Sequence, residues 1–525
     1  MKKKVLALAM SAMMAVGCLA GCGNGGAGNG GNNGGGGAGG TQGAGGEAEV
    51  MGNGETIVMA FMNWKGSPAG SERISQKISE YTMEKYGVNV ELQILDAASY
   101  AQNMKLMLSS GEQVDIFNSI MVGYNACINN GYALDLEEND LLQTYGQGII
   151  DTFGEDYIDA CRVNGVVYGL PTKKDDATGL LGFAIGKEYL DGIGYDYNSM
   201  YENEGDEAIR TTTDEITNIF TQLHEKYPDI YVFSPQDATV QQGMKIDALG
   251  GDNFGVLLDP ENSLVVEDLF SSDVYYNLVK LFYDWNQAGF ISKDALTDTN
   301  AATLQVLSGN AMAYATATKP GIKQQETNLC GREMILFQCG DDFMKSNSIA
   351  GMPWCINSGT EYPELAMTVL NGFYTDPVLS NLLVWGEEGT EYVKTDDGHI
   401  TFPEGVDADT SEYYNNVNWE LPNQFIAEVW EGDSLDIGER MDKFNSESVK
   451  SKALGFSFDN SAVASEFTAL TNVYNEYGKA LIFGFTDPDT GIPEFEARLK
   501  EAGLEKYMAA KQEALDAWAQ EAGVQ

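Results

Sequence analysis

Glu55-Thr56-Ile57-Val58-Met59-Ala60-Phe61-Met62-Asn63-Trp64-Lys65-Gly66-Ser67-Pro68 runs from an unbroken apolar stretch into Asn, Gly and Pro. A short continuous apolar run bounded by turn residues is the pattern of a buried strand ending in a loop. Downstream, residues 71–86 place Ile74, Ile78 and Tyr81 at spacings of four and three, which predicts a helix. Residues 88–95 read as a second strand, 100–109 as a second helix and 114–118 as a third, short strand. Strands alternating with helices predict βαβ units and a parallel sheet. Ligands of such sheets bind at the carboxyl ends of the strands, here Asn63-Trp64, Asp96 and Asn118-Ser119.

The same alternation resumes after Leu170-Pro171. Strands are expected over 180–185 and 231–234, helices over 213–227 and 273–287, an apolar run at 311–314, a late strand over 348–356 and a helix over 363–374. The tail from 467 to 518 is helix-rich, with Pro488 and Pro493 marking a turn. Interrupted α/β segments suit two lobes joined by more than one crossing. Residues 55–170 with 335–375 are assigned to a first lobe, and 171–334 with 376–525 to a second.

The amino terminus fixes where this body works. Lys2, Lys3 and Lys4 precede an apolar run over 5–16, and Leu19-Ala20-Gly21-Cys22 closes the segment. That is the layout of a secretory signal, too short for the ~20 residues of a spanning helix. Leu19-Ala20-Gly21-Cys22 resembles the bacterial lipobox, which implies cleavage after residue 21 and lipidation of Cys22. Residues 22–54 are nearly all Gly, Asn, Ala and Thr and read as a tether; a Gly-rich coil of about 30 residues spans roughly 30 Å. The formal net charge is −47, a field that repels nucleic acid and anionic lipid surfaces. Cys127, Cys161, Cys330, Cys339 and Cys355 match no zinc spacing and contain no C-x-x-C pair. They read as buried free thiols, with a Cys330–Cys339 disulfide as the alternative.

Ser109-Ser110-Gly111-Glu112-Gln113-Val114-Asp115-Ile116, Val167-Tyr168-Gly169-Leu170-Pro171, Gly309-Asn310-Ala311-Met312-Ala313, the helix over 363–370 and Trp385-Gly386-Glu387-Glu388-Gly389 resemble, in order, segments of family 1 extracellular solute-binding proteins. Val114 departs from the proline common there. Leu454-Gly455-Phe456-Ser457-Phe458-Asp459-Asn460-Ser461, with Asp487-Pro488-Asp489 and Ile492-Pro493-Glu494-Phe495, resembles the carboxyl-terminal domain of LipO-like lipoproteins of Gram-positive bacteria. The resemblance implies a two-lobed, type II-like periplasmic-binding-protein fold with a hinge and a helix-rich carboxyl-terminal extension. It also implies a monomer on the outer face of the cell membrane, capturing a solute in the interlobe cleft and delivering it to an ABC permease. No binding map comes with it.

Sugars offer apolar C–H faces to aromatic rings and hydroxyls to planar polar groups, so the candidate ligand-binding residues are aromatics with polar neighbours at loop and strand ends. These are Asn63, Trp64 and Lys65 after the first strand, Asp115, Asn118 and Ser119 around the third, Asp175 and Asp176 after the lobe crossing, Trp354, Trp385 with Glu387, and Trp419. Each tryptophan could instead be a core residue, Asp115 a cap, and Glu387 a solvated charge. Trp285, Trp430 and Trp518 read as packing residues. A carbohydrate, in particular an oligosaccharide, is the expected ligand, with a peptide or another solute as the alternative. No cofactor or metal is called for, and Asp487-Pro488-Asp489-Thr490-Gly491 reads as a proline turn instead of a calcium loop. A secreted carbohydrate-active hydrolase remains the enzymatic alternative. His224 and His399 are the only histidines, which argues against a His-based triad.

Overall fold

The computed structural model describes residues 52–64, 66–201, 207–236, 238–415 and 417–524. The signal segment, Cys22, the tether up to residue 51 and Lys65 lie outside the described residues. Among the described residues, no helix is long and apolar enough to cross a membrane.

Two sheets organise the chain. In the first, Thr56–Asn63 runs parallel to Asn89–Asp96, with Ile57 opposite Val90 and Asn63 opposite Asp96. It also runs parallel to Ile116–Asn118, and Trp354–Ile356 closes the sheet antiparallel to that strand. Helix Ser71–Tyr86 buries Ile74 and Ile78 against this sheet and ends at Gly87, whose φ of 71° is the left-handed conformation that glycine adopts without penalty. The second sheet has seven strands built around Thr178–Gly186, which pairs antiparallel with Ala311–Thr318, Met334–Gln338 and Asp342–Met344.

The sheets correct the lobe assignment. Residues 334–344 belong to the second lobe, because both of their strands pair with Thr178–Gly186. Residues 376–427 belong to the first, because Leu379, Leu383, Val384, Tyr413, Leu421 and Ala427 share one core with Ile57, Phe61 and Trp354. The expected strand over 348–356 begins only at Trp354, after a run of turns. The chain therefore crosses between lobes three times, over 171–177, 345–353 and 428–448.

The second lobe's core gathers Phe183, Phe220, Phe233, Phe282, Trp285 and Phe290. Ser272 accepts from Tyr275 N–H to cap helix Asp273–Gln287, and Trp285 donates its indole N–H to Thr217 at 2.9 Å. Helices Ala464–Ile482, Pro488–Glu501 and Leu504–Ala522 extend the same core. Asp487 caps the second of these with Pro488 at its first position, so the Asp-Pro-Asp stretch starts a helix; Pro493 lies inside that helix and marks no turn. The five cysteines carry no disulfide; four are buried and Cys339 is half-buried.

Candidate functional site

A groove of about 900 Å³ opens between the lobes. Its first-lobe wall is built by the stretch after helix Pro377–Val384. Asp376 caps that helix by accepting from Val378 N–H, and Lys85 pairs with the same carboxylate at 2.6 Å. The helix stops at Trp385, whose indole N–H donates to the Glu428 carbonyl at 2.8 Å. That bond fixes the polar tip and leaves the ring against Trp430, 5.0 Å between centroids. Phe402 packs edge-on to Trp430 at 4.7 Å, and Tyr414 follows at 5.9 Å from Phe402. Trp419 adds a fifth ring to the wall.

The facing wall comes from the second lobe. Helix Ile322–Cys330 turns Gln324, Gln325 and Asn328 to the groove, and Lys319 pairs with Asp175 at 2.9 Å beside them. Aromatic faces on one side and amides on the other suit a ligand with apolar faces and an edge of hydroxyls. The charged groups of the lining include Lys174, Asp175, Lys319, Glu428, Glu431 and Asp433. Burial pushes the Asp433 carboxyl above its ordinary range.

Of the residues expected from sequence, Trp385, Trp419 and Asp175 line this groove. Others support it from beneath. Asn63, 1% exposed, donates to Asn415 Oδ1 at 3.2 Å and holds the segment that carries Tyr414. Asn118 is fully buried and donates to the carbonyls of Met352 and Glu420. Trp354 is a core residue, fully buried, with its indole N–H donated to the Glu420 carbonyl at 2.8 Å. Ser119 is buried next to these, its hydroxyl without a partner among the described residues.

The remaining candidates lie elsewhere. Asp115 precedes its strand, so it sits at the amino edge of the sheet, where its carboxylate accepts from Val58 N–H at 2.8 Å and from the Thr360 hydroxyl. Asp176 is 5% exposed and paired with Lys174 at 2.7 Å. Glu387 lies on an outer face, paired with Arg73 at 3.1 Å and Lys77 at 3.0 Å. Trp64 is 54% exposed and outside the lining of the groove.

Sequence reasoning missed Trp430, Phe402, Tyr414 and the amide face of helix Ile322–Cys330. It also missed Glu420, which is fully buried. One carboxylate oxygen of Glu420 accepts from Met62 N–H at 3.3 Å, and the other has no partner among the described residues. Burial pushes this carboxyl well above the usual carboxylate range, which favours its neutral form. Its backbone carbonyl receives both Trp354 and Asn118, making it the point where three strand ends meet beneath Trp419.

Residues 452–520 match the family described as a domain of unknown function, DUF3502. Over nearly its whole length the chain is similar to a carbohydrate ABC transporter substrate-binding protein of Streptococcus pneumoniae serotype 4, at 24% identity with 98% of each chain covered. Among solved structures it is similar to the N-glycan transport solute binding protein NgtS of Streptococcus pneumoniae, at 22% identity and a TM-score of 0.75 over 89% of this chain and 99% of that one. The TM-score to NgtS in complex with Man5GlcNAc is 0.62, at the same identity and the same coverage of both chains. A family 1 extracellular solute-binding protein from Alicyclobacillus acidocaldarius matches at 13% identity and a TM-score of 0.52, over 87% of this chain and 99% of that one. The fold is that of two-lobed solute-binding proteins.

Proposed function

We propose that this chain is the capture component of an ABC importer for carbohydrate, holding an oligosaccharide in the interlobe groove and delivering it to a permease. The observation that carries the reading is the run Trp385, Trp430, Phe402 and Tyr414, joined by Trp419, facing Gln324, Gln325 and Asn328 across the cleft. Stacked sugar rings would cover the aromatic wall while their hydroxyls reach the amides. The name of the pneumococcal relative and the glycan bound by NgtS support a carbohydrate ligand. Lipidation at Cys22 would keep the protein at the outer face of the membrane, with the Gly-rich tether giving it reach.

Isothermal titration against mannose-containing N-glycans, fructo-oligosaccharides and a peptide panel tests the ligand class, with chromatography of the same mixtures testing turnover. Binding of an oligosaccharide without product is expected. Product formation would replace capture with hydrolysis, and binding confined to peptides would replace the sugar. The anchor is tested apart from the ligand: Cys22→Ser should release the protein from the cell surface into the medium.

A further inference from the structure

The Leu454 to Asn460 stretch singled out in the sequence takes no part in the groove, yet it lies against the place where all three chain crossings meet. We propose that it is a brace across the hinge that sets ligand affinity from outside the groove, an inference that rests on the capture reading above.

Ala177, Ile349, Ala350 and Phe444 come one or two each from the three crossings and pack into a single small cluster with Ala160 and Cys161 of the first lobe. Leu454 packs on this cluster. Gly455 follows with φ of 95° and donates its N–H to the Ser346 carbonyl at 2.8 Å; a Cβ there would stand 3.2 Å from the Ala160 carbonyl oxygen. The close approach and the positive φ both require glycine.

From there the segment alternates. Phe456 packs among Leu249, Leu257 and Leu515, and Phe458 lies against Tyr507 and the buried Lys511 ammonium, which tie it to the second lobe and its carboxyl-terminal helices. The Ser457 backbone carbonyl and the Asp459 side chain face the first lobe. The Ser457 carbonyl accepts from Asn125 and the Asp459 carboxylate from Asn129, each at 3.2 Å, on helix Tyr124–Asn129 of the first lobe. Rotation of one lobe against the other must break or slide these two contacts, while Phe456 and Phe458 stay with the second lobe.

The contacts belong to the arrangement described here, which matches the first NgtS structure better than its Man5GlcNAc complex. A contact present in one arrangement and absent from the other biases the equilibrium, and ligand affinity changes by the population of the competent state. Strengthening the brace therefore weakens binding, and loosening it tightens binding.

Two substitutions at exposed Asn129 test the sign in the full-length protein. Asn129→Lys places a cation opposite Asp459 and should raise the Kd for the best oligosaccharide of the panel about two- to fivefold; Asn129→Asp places a like charge there and should lower it by about as much. Both differences should shrink at high salt. Solution scattering without ligand should move the Asp variant toward the wild-type liganded profile and the Lys variant away from it. Equal Kd and scattering for both variants, or shifts in the same direction, would overturn the brace. If wild type binds no oligosaccharide, the capture reading fails, and the ligand-free scattering still decides whether the contact holds the lobes.

Discussion

The molecule holds two clusters of aromatic rings at the same spacing and with opposite fates. In the second lobe Trp285 lies 4.8 Å from Phe220 and 5.2 Å from Phe233, sealed by helix Asp273–Gln287 and the sheet. In the first lobe Trp385 lies 5.0 Å from Trp430, and Phe402 lies 4.7 Å from it, half-buried on irregular backbone. Each set has an indole N–H held by a hydrogen bond, that of Trp285 by Thr217 and that of Trp385 by Glu428. What separates them is the element that carries the rings. Periodic elements turn rings inward and convert their area into stability. A loop held at its polar tips leaves the same area facing the cleft, where a ligand can cover it.

The largest expected effect breaks the sealed cluster. Trp285→Ala should lower stability by about 3–5 kcal/mol, measured by denaturant unfolding, while the folded fraction keeps its ligand affinity. The open cluster should answer in reverse: Trp430→Ala should weaken oligosaccharide binding by about 2 kcal/mol with little change in melting temperature. If Trp430→Ala melted the protein and spared binding, the contrast between the two clusters would collapse.

Glu420, beneath Trp419, sharpens the comparison through pH. Burial raises its carboxyl in the folded chain, whereas in the unfolded one it ionises near the ordinary value of about 4.3. Its contribution is full below that pH and is lost as pH rises toward the raised folded value. The melting temperature of Glu420→Gln relative to wild type should therefore climb as pH rises above about 4. A constant difference would mean that Glu420 is ionised in both states. The smallest effect belongs to Trp64: exposed and outside the groove, its replacement by Ala should change binding and stability by less than about 0.5 kcal/mol.

Elements defined by local periodicity were legible. Helices Ser71–Tyr86 and Asp273–Gln287 and strand Tyr231–Ser234 fall where the spacing of apolar residues puts them. Strands Met334–Gln338 and Asp342–Met344 were not read, because their identity rests on pairing with residues about 150 positions earlier. The same limit misplaced 376–427, a stretch whose core partners include Ile57 and Phe61, far upstream in the sequence. At the groove, the strand-end rule reached the right edge of the sheet but one layer too deep. Asn63, Asn118 and Trp354 are the footing of the wall, and the rings that stand on it come from a loop with no period to follow.

The unpaired thiols have a practical consequence. Burial pushes Cys127 and the half-buried Cys339 up to about 12 and raises Cys161, Cys330 and Cys355 as well, which lowers the thiolate fraction of all five below that of an exposed cysteine. Thiolate is the species that reacts with maleimides and oxidants. A single cysteine introduced at the groove rim, for instance Asn328→Cys, would take a fluorophore while the native sulfurs stay silent. The protein would then serve as an optical sensor for its own ligand without prior removal of any native cysteine from the folded body.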